Sequence, residues 1–91
     1  MPPENLSLIR IREVCARTGR STATVYEAIK NGEMTRPIKL GARCSAWPSY
    51  ELDELIKAAI AGASRDEVCR LVEELHERRG RLSSSSEGDN S

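Results

Sequence analysis

The stretch TGRSTATVYEAIKNG, Thr18–Gly32, opens with a turn, runs into a short helix and closes on Asn-Gly. Ser21 is a good N-cap, because its hydroxyl accepts from a free backbone N–H of the first helical turn. Val25 and Ile29 are four residues apart with Ala28 beside them, so one side of the helix is apolar. Ala23, Thr24, Glu27, Lys30 and Asn31 fall on the other side. Asn31-Gly32 stops the helix, since both residue types tolerate a left-handed backbone.

Upstream, LSLIRI (6–11) alternates apolar and polar residues and reads either as a short strand or as the lead into a helix. REVCARTG (12–19) reads as a helix of about two turns, with Ile11 and Cys15 on one face and Gly19 as its stop. On the other side, Pro37 excludes a continuing helix. Ile38 and Leu40 alternate with Lys39, followed by Gly41-Ala42-Arg43 and then Cys44, Ala46 and Trp47. That pattern predicts a β-hairpin turning near Gly41, with basic residues about its tip and Trp47 as a core anchor beneath it.

Pro48-Ser49 begins another helix, with Ser49 as the expected N-cap and Glu51, Asp53 and Glu54 where the macrodipole favours acid. Leu52, Leu55, Ile56, Ala59 and Ile60 form its expected core-facing stripe, and Gly62 ends it. Ser64 and Glu67 make a capping box before a fourth helix. Val68, Leu71, Val72 and Leu75 share one face of that helix, and Gly80 is its expected stop. This face either folds back to complete a small core or pairs with a second copy or a partner protein. The tail RLSSSSEGDNS (81–91) is polar and of low complexity, and is expected to be disordered.

Two short helices joined by a tight turn containing Gly, the second one capped, describe a helix-turn-helix. The first helix and the core hold the second one out. The second is narrow enough for a DNA major groove, its N-terminal residues reach base edges, and its free N–H groups suit a phosphate. A hairpin that follows such a helix is a wing. The expected class is therefore mainly α with a small β-hairpin: a flexible arm (1–6), a winged helix-turn-helix domain (7–62), an extra C-terminal helix (63–80) and a disordered tail (81–91).

Composition agrees with one small domain. A chain of 91 residues with no Phe, one Trp and two Tyr must build its core mainly from Leu, Ile, Val and Ala. No window approaches the roughly 20 apolar residues of a membrane span, and MPPENLS lacks the parts of a signal peptide. The cytoplasm is the expected location. Cys15, Cys44 and Cys69 form no C-x-x-C, and with His76 as the single histidine no zinc set assembles. They are expected to be reduced thiols, and His76 a solvated surface residue. Neither a Ser-His-Asp or Cys-His constellation nor a glycine-rich phosphate loop is present, so no enzymatic activity and no cofactor is expected. Residues 1–50 carry 8 of the 14 Lys and Arg against 4 of the 14 Asp and Glu, while residues 51–91 carry the remaining 6 against 10. The zero net charge thus conceals a basic first half and an acidic second half.

The span from Leu8 to about Ile60 resembles the AlpA family of phage and prophage regulators, relatives of the winged helix-turn-helix domains of MerR regulators and excisionases. The residues that carry the resemblance are LIRIREVCARTG, then S-x-x-T-V-Y followed by NG, then P-I-K-L-G, and Trp47 before an acidic helix. The chain departs from the family pattern at Arg20, Thr22 and Glu27, and at Met34-Thr35, where Phe-Pro is common. The resemblance implies sequence-specific binding of double-stranded DNA in transcriptional regulation, with no small-molecule substrate and no membrane. It also leaves two alternatives: an excisionase-like DNA-bending role, or an interaction module that has lost DNA. The DNA-contacting set it implies is Arg20, Ser21, Thr22, Ala23, Thr24, Tyr26, Glu27, Lys30, Lys39 and Arg43. Thr22, Ala23 and Thr24 are assigned to base edges, Arg20 and Lys30 to phosphates, and Lys39 and Arg43 to the wing contact, with Arg10 and Arg12 adding to the basic face. Tyr26 either points its hydroxyl at a phosphate or is plain core edge. Glu27 repels phosphate but accepts from cytosine N4. A homodimer or a protein partner would assemble through residues 64–80.

Overall fold

A computed structural model describes residues 6–87 of the chain, the side chains of 82–87 excepted. Most of the expected arm, residues 1–5, and the end of the expected tail, residues 88–91, lie outside the described residues. Four helices and three short strands follow in the order β1 (Leu8–Ile9), α1 (Ile11–Thr18), α2 (Thr22–Lys30), β2 (Ile38–Gly41), β3 (Cys44–Pro48), α3 (Ser49–Ile60) and α4 (Arg65–Glu87). The architecture is a mainly helical winged helix-turn-helix with a C-terminal helix added.

The local rules act as the residues suggest. Gly19 takes a left-handed φ of 70°, and its N–H closes on the Cys15 carbonyl at 2.8 Å, which ends α1. Ser21 caps α2 by accepting from the Thr24 N–H at 3.2 Å. Gly32, at φ 78°, lets the chain leave α2, with the Glu33 N–H returning to the Ala28 carbonyl at 2.8 Å. LSLIRI resolves into strand and helix together: Leu8–Ile9 pairs antiparallel with β3, Leu8 opposite Pro48 and Ile9 opposite Trp47. The sheet order is β1-β3-β2, so the hairpin carries a third strand that its own sequence does not announce. β2 and β3 pair with Ile38 opposite Ala46 and Lys39 opposite Ser45; an irregularity at Leu40 then brings Gly41 opposite Cys44.

One core holds these elements. Ile9, Val14, Val25, Ala28, Met34, Trp47 and Leu52 are its buried members, with Ile11, Cys15, Ile29 and Leu55 packed against it. Trp47 is fully buried, and its indole N–H donates to the Thr35 carbonyl at 2.9 Å. Val72 and Leu75 of α4 are also buried, so the fourth helix folds back on its own chain.

Several expectations are corrected. Ser49 is the first helical residue and not the cap. Pro48 holds the cap position at the end of β3, and Ser49 instead bonds Ser7, through its N–H to the carbonyl at 2.9 Å and between hydroxyls at 2.8 Å. The stripe along α3 fades: Leu52 is buried, but Ala59 and Ile60 are exposed because the core cluster reaches Leu52 and Leu55 and goes no farther. Gly80 does not stop α4, which runs on to Glu87 through the first part of the expected disordered tail. Gly80 lacks the positive φ of a left-handed cap, and a helical glycine costs only about 1 kcal/mol. The side chains of Glu77 and Arg81 meet across it, one helical turn apart. No helix among the described residues is long and apolar enough to cross a membrane.

Candidate nucleic-acid interface

The turn between α1 and α2 is built by Gly19 and by the Arg20 N–H, which also closes on the Cys15 carbonyl at 3.2 Å. It presents Arg20 and Ser21 to solvent. Val25 and Ala28 anchor α2 in the core, and this leaves Thr22, Ala23, Thr24, Tyr26, Glu27 and Lys30 exposed along its outer side. The hydroxyls of Ser21 and Thr24 meet at 2.9 Å, and the Thr22 hydroxyl lies 3.7 Å from the Cys15 sulfur. Thr22 is therefore partly engaged with α1, whereas Ala23 has no such tie. Tyr26 is half-exposed at the edge of the core, against the ring of Trp47. Lys39 and Arg43 are exposed on the hairpin, Arg43 in the turn and Lys39 on β2 beside the exposed Leu40.

The charges divide in an informative way. Arg17 is bound to Glu13 at 2.9 Å and Asp53 at 3.6 Å, Arg65 to Glu33 at 2.6 Å, Arg78 to Glu74 at 3.0 Å, and Arg79 to Glu51 at 2.7 Å. Among the described residues Arg20, Lys30, Lys39 and Arg43 have no acidic partner, and neither do Arg10, Arg12 and Arg36. The unpaired cations of the first half thus lie on the turn, on α2 and on the hairpin, with Arg10 and Arg12 at the start of α1 and Arg36 just before β2. Glu27 is exposed there without a cation partner among the described residues. An outward helix start with free side chains, flanked by unneutralised cations, is suited to a polyanion.

The sequence did not announce a polar cluster that joins α3, α4 and the segment before β2. The Glu51 carboxylate is completely buried, and Arg79 closes a fork on it from α4, Nε donating at 2.8 Å and Nη2 at 2.7 Å. The same Nη2 donates to the Arg36 carbonyl at 2.7 Å, and the Arg36 N–H donates to His76 Nε2 at 3.1 Å. His76 is therefore not a solvated surface residue. Burial, helped by the Arg36 and Arg79 charges, holds its pKa below the ordinary histidine value. One feature of the sequence points to the cluster: Arg79 falls four residues after Leu75 and seven after Val72, so it continues the buried face of α4. Nothing local distinguishes Glu51 from an ordinary first-turn acid. No group of three His, Cys, Asp or Glu side chains that would hold a metal ion comes together among the described residues.

The model of the family described as the prophage CP4-57 regulatory protein (AlpA) matches residues 7–60. An uncharacterized protein of Enterobacteria phage P4, ORF88, is 35% identical over 57 residues. That alignment covers 63% of this chain and 65% of the phage protein, so the chain spans a little under two thirds of the curated relative it matches. No solved structure matches the chain. The matched family span contains the turn, α2 and the whole hairpin, and it ends where α3 ends.

Proposed function

Since the chain belongs to the AlpA family of prophage regulatory proteins, we propose that it binds double-stranded DNA sequence-specifically and regulates transcription within a phage or other mobile element. It acts in the cytoplasm, without catalysis and without a cofactor. The observation that carries this reading is the outer side of α2. A capped helix start presents Thr22, Ala23 and Thr24 to solvent, and the unpaired cations Arg20 and Lys30 stand at its two ends. In the major groove those three side chains lie at base edges, with methyl groups for thymine and hydroxyls for donors and acceptors. Arg20 and Lys30 meet phosphates, and Lys39 and Arg43 carry the wing contact. Glu27 discriminates: it disfavours close phosphates and favours a cytosine amino group.

Selection from a random duplex pool, followed by salt titration of the selected duplex against scrambled DNA, tests the proposal. A single motif with a slope of log affinity against log salt of about −3.6 is expected, from four phosphate contacts at about −0.9 each. Equal weak retention of every duplex would remove the base-reading role of Thr22, Ala23 and Thr24. An interaction module without DNA is the less favoured alternative, because Val72 and Leu75, half of the α4 face that would recruit a partner, are already buried within the chain's own fold. The excisionase-like role differs in where the selected motif maps, beside an attachment site instead of a promoter.

A further inference from the structure

We propose that Arg79 is a positioning residue for DNA recognition: through its clasp on Glu51 and on the Arg36 carbonyl, α4 sets how the wing is held relative to α2. The inference rests on the DNA-binding reading above and extends it to a helix outside the matched family span.

Residues 31–37 join the end of α2 to the start of β2 and contain no strand or helix. Their path decides how the wing leaves the recognition helix. α4 runs along this connection and touches it repeatedly. Arg65 pairs with Glu33 at 2.6 Å, and the Cys69 thiol lies 4.0 Å from the Asn31 carbonyl. His76 accepts the Arg36 N–H, and Arg79 donates to the Arg36 carbonyl. Both backbone polar groups of Arg36 are thus held by α4, two residues before β2 begins at Ile38.

Arg79 is the centre of this arrangement because, among the described residues, it is the one α4 side chain bound to α3 and to the connection at once. A guanidinium is planar, and its donors point in fixed directions, so the fork on Glu51 determines where the remaining donor meets Arg36. Buried ion pairs add little to stability compared with apolar packing, but they tolerate few geometries. Here the geometry fixed is that of the joint between the two candidate DNA-contacting elements.

The test compares duplex affinity of the full chain and its variants at a temperature where circular dichroism shows each to be fully folded. A residue that only adds stability leaves affinity unchanged under that condition. Arg79→Gln and Arg79→Lys are both expected to weaken binding to the selected duplex by roughly tenfold, since lysine keeps the charge but cannot form the fork. Arg70→Gln, which removes a charge from the exposed side of the same helix, is expected to bind as the parent does. Amide exchange should quicken at Arg36 in the Arg79 variants, with Val25 and Ala28 unchanged. Parent-like affinity in folded Arg79→Gln and Arg79→Lys overturns the proposal, as does an equal loss in Arg70→Gln, which would make the effect one of charge. If the Arg79 variants do not fold, His76→Ala decides: a loss of about threefold is expected, and an unchanged affinity overturns the proposal. A parent chain that retains no duplex at all overturns the DNA-binding reading and this inference together.

Discussion

The ring of Tyr26 on α2 meets that of Trp47 on β3 edge to face, with centroids 6.4 Å apart and planes at 61°. This contact roots the wing against α2, since Trp47 is fully buried while Tyr26 keeps 45% of its surface exposed. Tyr26→Phe keeps the pair, so its unfolding free energy should stay within about 0.5 kcal/mol of the parent, and any fall in duplex affinity then reports the hydroxyl. Tyr26→Ala loses the pair and should cost about 0.5–1.5 kcal/mol beyond the lost area. Urea unfolding beside a duplex titration measures both.

Leu75 lies on α4, beyond the span matched by the family, yet it is completely buried. Leu75→Ala should therefore destabilise the whole domain by about 2–5 kcal/mol in urea unfolding. Ile60→Ala removes a similar side chain from a site 81% exposed and should stay within about 0.5 kcal/mol. Equal effects of the two would mean that α4 does not pack as described.

Thr35 is completely buried, and its hydroxyl oxygen has no hydrogen-bond partner among the described residues. A buried polar atom without a partner costs about 1–3 kcal/mol. Thr35→Val keeps the shape and removes that atom, so thermal unfolding should show an unchanged or raised midpoint. A clear drop in Tm would show that the hydroxyl is satisfied in solution.

His76 titrates below the ordinary histidine value, first because it is partly buried and then because Arg36 and Arg79 face it; Glu51 and Glu73 oppose the shift. The unfolded chain accepts this proton more readily than the folded one. Stability contributed by neutral His76 is therefore full above about pH 6.5 and is lost as pH falls from there through the depressed folded value. Protonation also removes the acceptor for the Arg36 N–H. Chemical unfolding from pH 7.5 downward should show this decline, and His76→Gln should flatten it.

Glu27 and Arg43 are both exposed, and neither has a partner of opposite charge among the described residues. Arg43→Ala should weaken duplexes of every sequence alike and reduce the salt slope by about 0.9. Glu27→Gln should tighten binding to scrambled duplex while changing the preferred base in the selected motif. A motif identical for parent and Glu27→Gln would place Glu27 away from the bases.

The four helices and most of their ends were legible from short-range chemistry. Gly19, Ser21, Gly32 and the Ser64–Glu67 pair act within a few residues of their own position, the latter with Ser64 N–H to Glu67 at 2.7 Å and Glu67 N–H to Ser64 at 3.2 Å. The apolar side of α2 was legible for the same reason, because the helix repeat alone separates Val25 and Ala28 from Thr24 and Glu27. Three features took long-range contacts to settle. Of the two readings of LSLIRI, the strand at Leu8–Ile9 holds because Trp47 and Pro48 lie beside it, about forty residues later in the chain. Ser49 lost its capping role to a hydroxyl contact with Ser7 across the same distance. Gly80 failed as a stop because a glycine's helical cost is small against the packing already secured by Val72 and Leu75.

The candidate site divides along the same line. Which residues stand on the outer side of α2, in its turn and at the hairpin tip follows from the sequence, since each depends on local periodicity and turn chemistry. Only the tertiary structure decided that Glu51 leaves solvent for the Arg79 guanidinium, and that Arg79 and His76 hold the backbone of Arg36. A charged residue on a helix reads as surface unless another element approaches to pair with it. The element that does so here, α4, arrives from 28 residues beyond Glu51, through a fold that no local pattern encodes.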